Sequence, residues 1–484
     1  MNIERICSLF TRRPVVCAMS TNSKSEKPNG AKLLEGKPFP VSKDCAGFKG
    51  VGQFKKDPLK FYRNNQLKHG NYVCNPTMFG YEFYTLYHPN AVEHVLQTHQ
   101  KNYHKPDVFL KPASLLFGNG IFTSEGDFWM KQRRLSQPAF HRDHIGRMAG
   151  VIVECVEKML ARWDAKPDGS QIDLQHEMVY LTLSVAGRTL FSTDLTDHAT
   201  DVGSAVREGF EVLNHRMNNF PFVLPMWLPT RDNRQFKQAK SVLDSVISKI
   251  IADRKSSSEQ HHDFLGMLMA ARDEDTGLGM SDAQLKDEVL TLLVAGHDTV
   301  AACLAWTWIS LSQNPKIRSQ MHDEHKSVLS GRNPQLADTQ GLTYTRMIID
   351  ESLRLYPPAW GLPRQSFEED VIDGYLLPKD AFISLNQFTT HRLPEFWDKP
   401  EEFHPERFLP ENIKNRPRFA YFPFGAGSRV CIGQNLALLE AQLAIATIAQ
   451  RYEIDLLPGQ NIEPDPTFTL IPKGIVTAAI KRRK

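Results

Sequence analysis

The chain has 484 residues, 41% hydrophobic and 23% charged, with 58 Lys and Arg against 55 Asp and Glu. This supplies a sizeable core and excludes a disordered, fibrous or collagen-like chain. The net charge of +3 sits in the first thirty residues, so no global basic field points to nucleic acid.

In chain order, residues 1–31 read as a disordered polar tail, with a transit peptide as the alternative. They are poor in acids, interrupted by Pro14, and lack an apolar run long enough for a membrane anchor. Ordered structure is expected over 32–484 as one large, mainly α domain with a smaller β-containing part. Gly80–Tyr87 reads as a strand and Asn90–Gln97 as a short helix. Ile145, Met148, Ile152, Val156, Met159 and Trp163 recur at helical spacing. Arg254–His262 reads as a polar surface connection and Gly277–Gly279 as a loop. Ser281 and Gln284 form a capping box for a helix from Asp282 past Leu311, ended by Asn314-Pro315. Within it, Val289–Leu311 is as long as a membrane span. His297 and Asp298 near its centre are expensive in lipid, so a helix through the middle of a soluble protein explains it better. After Leu342 prolines crowd the sequence, giving irregular segments with short strands, before a helical pattern over Gln434–Gln450.

The 7 cysteines are odd in number, widely spaced and without a Cys-x-x-Cys pair. This argues against a disulfide scaffold or zinc ribbon and for free thiols in a reducing compartment. Cys431 stands out. Glycines at 425, 427 and 433 allow positive φ and close backbone approach, and a helix follows at once. A helix N-terminus favours a thiolate, which when buried still needs a cation. A lone cysteine in a glycine loop would by itself read as inert. Here Phe424, Gly427, Arg429, Cys431 and Gly433 stand in the order F-x-x-G-x-R-x-C-x-G, and the segment resembles the haem-thiolate signature of the cytochromes P450. The resemblance extends to Glu351-x-x-Arg354, to Pro405-Glu406-Arg407-Phe408, to Trp129-x-x-x-Arg133, and to Ala295-Gly296-His297-Asp298-Thr299, similar to A-G-x-D/E-T.

The resemblance implies a P450-like fold binding haem b non-covalently. Cys431 would be the axial iron ligand, with Phe424, Gly425, Gly433, Ala295 and Gly296 against the haem, and Trp129, Arg133, Arg364 and Arg429 clamping its propionates. Asp298 and Thr299 would be catalytic, delivering protons to bound oxygen. Glu351, Arg354 and Arg407 would form a buried structural triad. The activity implied is a monooxygenase hydroxylating an apolar substrate (fatty acid, terpenoid or other lipid) with O2 and two electrons from a separate ferredoxin or flavodoxin-like donor plus reductase. The pocket would draw on Val108–Phe117, Phe210–Leu228, Leu293–Ala295, Ala359–Leu362 and Phe468–Leu470, with Lys111 or Arg216 as candidate carboxylate anchors. Lys414, Arg416, Arg418, Lys131 and Arg134 would form a basic docking face. A cytoplasmic location without a transmembrane anchor is expected. The alternatives are a peroxide-driven or rearranging haem-thiolate enzyme, a non-catalytic haem sensor and, least of all, a membrane-embedded helical protein.

Overall fold

The computed structural model describes residues 34–483 apart from 46, 78–80, 220–222, 258–262 and 274–276; the tail expected over 1–31 lies outside them. The chain divides into two units, each discontinuous in sequence.

The smaller unit takes the chain up to Pro106, Gly361–Leu393 and Pro417–Arg429. Helices α1 (Gly47–Lys56) and α2 (Pro58–His69) open it; Asp57 caps α2 by accepting from the Lys60 N–H, with Pro58 at the first helical position. The strands are β1 (Tyr72–Pro76), β2 (Glu82–Leu86), β3 (Tyr103–His104), β4 (Leu362–Ser366), β5 (Asp370–Ile372), β6 (Tyr375–Leu377) and β7 (Phe382–Leu385). Five of them form a sheet in the order β1-β2-β7-β4-β3, parallel only between β2 and β7, and β5 pairs with β6. Leu86, Val95, Ile383, Leu385, Phe419 and Phe422 are part of the apolar core. The strand expected at Gly80–Tyr87 is β2; Gly80 itself is not among the described residues. The helix expected over Asn90–Gln97 changes character part-way. Helix α3 stops at Glu93, and the following turn widens so that His99 N–H reaches His94 O at 2.8 Å, an i→i+5 bond.

The larger unit takes Asp107–Trp360, Pro394–Arg416 and Val430–Lys484. Its principal helices are α4 (Asp107–Phe117), α5 (Gly126–Ser136), α6 (Ala149–Asp164), α7 (Leu174–Phe191), α8 (Ala199–Asn218), α9 (Arg231–Ser256), α10 (Asp282–Gln313), α11 (Pro315–Leu329), α12 (Thr343–Leu355) and α13 (Gln434–Arg451). Strand Thr477–Arg482 lies between Gln171–Asp173 and Tyr452–Leu456, and Pro464–Pro466 pairs with Leu470–Pro472. The axis of this unit is α10, packed against α7, α9, α12 and α13. Its capping box forms as expected, and it is the one described helix long and apolar enough to cross a membrane. Its apolar window is 78% buried inside the protein, the position of a core helix. Asn314-Pro315 ends α10, and Pro315 then starts α11, because a missing N–H costs nothing at a first helical position.

Two expectations are corrected. Ile145 is helical but belongs to a separate short helix, Arg142–Arg147, and α6 starts only at Ala149. Arg254 is no surface residue: it lies in the last turn of α9, pairs with the buried Asp263 (2.7 Å) and donates to Phe191 O at 2.7 Å. Residues 258–262 of that connection are not among the described residues.

The loop after α4 is fastened to the first half of α10. Asp287 Oδ2 accepts the Asn119 N–H at 2.8 Å. A Cβ on Gly118 (φ +63°) would lie 2.1 Å from Asp287, and one on Gly120 2.5 Å from Thr291 Oγ1, so only glycine allows this approach. Beside them Glu288 is fully buried. Burial raises its pKa to about 8, with the Asp287 charge adding to the rise and the Ile121 N–H opposing it. The folded value lies above the ordinary 4.5, so the unfolded chain releases this proton first. Stability from this group is complete below the ordinary value and falls by about 1.4 kcal/mol per pH unit until the folded value is passed. Denaturant unfolding of Glu288→Gln between pH 5 and 8 is expected to lack that slope.

Candidate active site

The centre of α10 departs from its surroundings. Leu292, Leu293, Val294 and His297 are buried, whereas Ala295 is exposed and Gly296, Asp298 and Thr299 are half-buried. A small exposed residue in the middle of a core helix marks a face that opens onto a recess. Thr299 Oγ1 donates to Ala295 O at 2.9 Å, so its only hydrogen is used and its lone pairs face outward. His297 Nδ1 donates to Leu293 O at 2.8 Å, and burial pushes its pKa down. Burial pushes Asp298 up, against His297, Thr469 and Arg207. Asp298 Oδ2 accepts from Thr469 Oγ1 at 2.7 Å.

Apart from a short 3-10 turn at Gly427–Arg429 the cysteine loop is irregular, and its backbone is held residue by residue. In the smaller unit, Phe422 N–H donates to His391 Nε2 (3.0 Å), Phe422 O accepts from Gln387 Nε2 (2.6 Å), and Gly425, at φ +70°, donates to Phe422 O (2.9 Å). Gly427, at φ +66°, sits so close to Leu96 that a Cβ would lie 1.8 Å from its carbonyl oxygen. Ser428 N–H donates to Gln100 Oε1 at 2.9 Å. Phe424 and Arg429 are half-buried in the same unit, and Arg364 is buried on β4 with Nη1 on Pro363 O at 2.8 Å.

In the larger unit, Arg133 Nη1 donates to Val430 O at 3.0 Å, and Trp129 lies one turn earlier on α5. Cys431 is exposed by surface area, yet its thiol lies deep enough that burial raises its pKa. The Gly433 and Gln434 N–H groups and the Arg133 charge pull that value back. A side chain at Gly433 would make only ordinary contact, 3.9 Å from Phe140 and 4.0 Å from the sulfur. These features fit a flat, anionic, iron-bearing group. A deep thiol becomes a thiolate only beside a further cation, and small residues at 295 and 296 admit a planar neighbour.

Glu351 and Arg354 are wholly buried. Arg354 donates Nε to Glu351 Oε2 (2.7 Å) and Nη2 to Oε1 (2.8 Å), while Arg407 Nε and His404 N–H reach Oε1 at 3.3 and 2.8 Å. The arginines also hold backbone: Arg354 takes Pro400 O (2.7 Å) and Glu402 O (3.1 Å), and Arg407 takes Lys399 O (2.8 Å). The cluster fixes the irregular segment Pro394–Arg416.

Phe468 lies at the centre of an aromatic group: Phe210 stacks on it at 4.5 Å, with Phe117, Phe122 and Phe109 at 5.9, 6.0 and 6.2 Å. The candidate carboxylate anchors have these local partners. Lys111 pairs with Asp107 (2.8 Å), and Arg216 donates to Leu224 O (3.1 Å) and Asn233 Oδ1 (3.3 Å). The expected basic face is reduced likewise. Lys131 and Arg134 pair with the buried Asp273, and Arg416 stacks on Trp397 at 3.9 Å. Sequence reasoning missed the parts played by Gln100, Gln387, His391 and Thr469, each far in sequence from its partner.

The family model for cytochrome P450 matches residues 47–479. The chain is 38% identical over 387 residues to cyclooctatin synthase of Streptomyces melanosporofaciens (79% of this chain, 83% of that protein) and 35% identical over 382 residues to cyclooctat-9-en-7-ol 5-monooxygenase of the same organism (78% and 82%). It is 32% identical over 418 residues to pentalenene oxygenase of Streptomyces avermitilis (85% and 90%). The chain belongs to the cytochrome P450 family and is of the bacterial type. It is accordingly an oxidoreductase, a monooxygenase that binds haem b through a cysteine thiolate and uses O2, an apolar substrate and redox partners.

Glu351→Ala removes the carboxylate that faces buried Arg354 and half-buried Arg407, and is expected to lower stability by about 3–5 kcal/mol, read by denaturant unfolding.

Proposed function

We propose that this P450 hydroxylates a cyclic terpenoid hydrocarbon or alcohol, with Cys431 as the residue that would hold the haem iron and with electrons from a separate ferredoxin or flavodoxin-like donor. The observation that carries the substrate class is the phenylalanine group around Phe468. Rings of this kind favour a bulky apolar skeleton. The names of the Streptomyces relatives support the same class. A cytoplasmic location agrees with the burial of α10.

Bound haem supplies the chemistry that splits O2 and places one oxygen atom in an unactivated C–H bond. The chain's own residues position and feed it. Trp129, Arg133, Arg364 and Arg429 are the side chains assigned to the propionates, and Phe424, Gly425 and Gly433 line the cysteine side. Ala295 and Gly296 let α10 approach. Asp298 holds a proton that it can exchange with water, and Thr299, its hydrogen spent on Ala295, accepts a hydrogen bond from the group being protonated. The intact pair weighs against the peroxide-driven alternative, which has no need of a proton relay.

The reduced, CO-treated protein is expected to show the red-shifted thiolate Soret band, and Cys431→Ala to lose it; a variant that keeps the band removes the ligand assignment. In binding spectra, cyclooctat-9-en-7-ol and pentalenene are expected to perturb the haem band at lower concentration than palmitate. Asp298→Asn is expected to slow ferredoxin-supported turnover of the tightest-binding compound by about 100-fold, with peroxide-supported turnover less affected. Turnover equally fast with peroxide alone would overturn the external-donor reading.

A further inference from the structure

The turn joining strands Pro464–Pro466 and Leu470–Pro472 is fixed at both ends. Trp360 Nε1 donates to Thr467 O (3.1 Å), Leu470 N–H to Pro358 O (2.9 Å), and Trp306 Nε1, from α10, to Leu470 O (3.0 Å). Thr467 Oγ1 closes the turn on Thr469 O at 3.0 Å. Between these anchors two adjacent side chains project with different tasks. Phe468 is the hub of the aromatic group, and Thr469, 6% exposed, gives its hydroxyl hydrogen to Asp298. Helix α8 repeats the pairing one turn apart. Phe210 stacks on Phe468, and the charge of Arg207, three residues earlier, is felt by Asp298. The same two elements therefore meet both the aromatic group and the acid.

We propose that Thr469 is a positioning residue for Asp298, and that the Phe468–Thr469 pair ties the setting of this carboxyl to the packing of the aromatic group. The inference rests on the reading of Asp298 as the proton-handling acid, and it names what controls that acid. A hydroxyl donating to a carboxylate favours the charged form, so its loss raises the pH at which Asp298 takes up a proton. The other groups facing this carboxyl are His297 on its own helix and Arg207 on α8. Neither changes when position 469 is substituted. A shift in the aromatic group moves Phe468, and the short turn, held at 467 and 470, passes that movement to the neighbouring Thr469.

The test reads the carboxyl directly. Infrared spectra of holoenzyme grown with carbon-13 aspartate are recorded against pH, and the Asp298 band is taken as the difference from Asp298→Asn. Thr469→Val is expected to move its midpoint upward by about one pH unit or more, as loss of a hydrogen bond to a charged group requires. Thr469→Ser, which restores the hydroxyl, is expected to return it. Phe468→Ala and Phe210→Ala are expected to move it upward by less, although neither side chain donates to the carboxyl. A midpoint unchanged in Thr469→Val overturns the positioning role. A midpoint shifted by Thr469→Val but unmoved in both phenylalanine variants overturns the coupling to the aromatic group. If Asp298→Asn leaves ferredoxin-supported turnover unchanged, the proton-handling reading fails separately, since the infrared titration does not depend on turnover.

Discussion

The main constraint on this protein is that one sulfur atom must be presented by a glycine-rich segment whose regular structure is limited to the short 3-10 turn Gly427–Arg429. The backbone from Phe422 to Val430 is therefore held by side chains and carbonyls of distant residues: His391 and Gln387 at Phe422, Leu96 and Gln100 at Gly427 and Ser428, Arg133 at Val430. The hydrogen bonds among these are each of modest strength, and at Gly427 the restraint is the close approach of the Leu96 carbonyl. Their sum removes the freedom that a glycine-rich segment would otherwise keep. The widened turn after His94 belongs to this arrangement, because it brings the Leu96 carbonyl against a glycine that can carry no side chain.

Buried charge is handled in two ways. Around Glu351 it is neutralised by arginines and backbone and used to hold an irregular chain in place, which gives specificity rather than net stability. In the middle of α10 it is left incompletely neutralised. His297 is driven toward its neutral form and the Asp298 carboxyl toward protonation, with a single neutral hydroxyl as its hydrogen-bond donor from another element. The first arrangement is built to be inert, whereas the second stays responsive to its surroundings.

The sequence made legible those features whose partners lie close together along it. The capping box at Ser281, the length of α10, the F-x-x-G-x-R-x-C-x-G order and the Glu351–Arg354 spacing are all short-range patterns. What it hid depends on long-range folding. Arg254 reads as part of a polar connection until Asp263 and the Phe191 carbonyl are seen to surround it. Lys131 and Arg134 read as surface charge until Asp273 is found buried beside them. Arg416 reads as a docking cation although its guanidinium lies over the Trp397 ring. A charged side chain in sequence carries no mark of whether its partner is water, an acid or an indole face.

The fastening of the Gly118–Gly120 loop to α10 bears on how such an enzyme can diversify. Phe117 and Phe122 flank a stretch in which any added side chain would collide with Asp287 or Thr291, so insertions or bulkier residues there would lift the whole strap off its helix. On the substrate reading proposed above, new selectivity is reached by trimming or reshaping individual rings, leaving the length of the strap untouched. That makes the phenylalanine positions, rather than the strap between them, the economical place for adaptation in nature or by directed evolution.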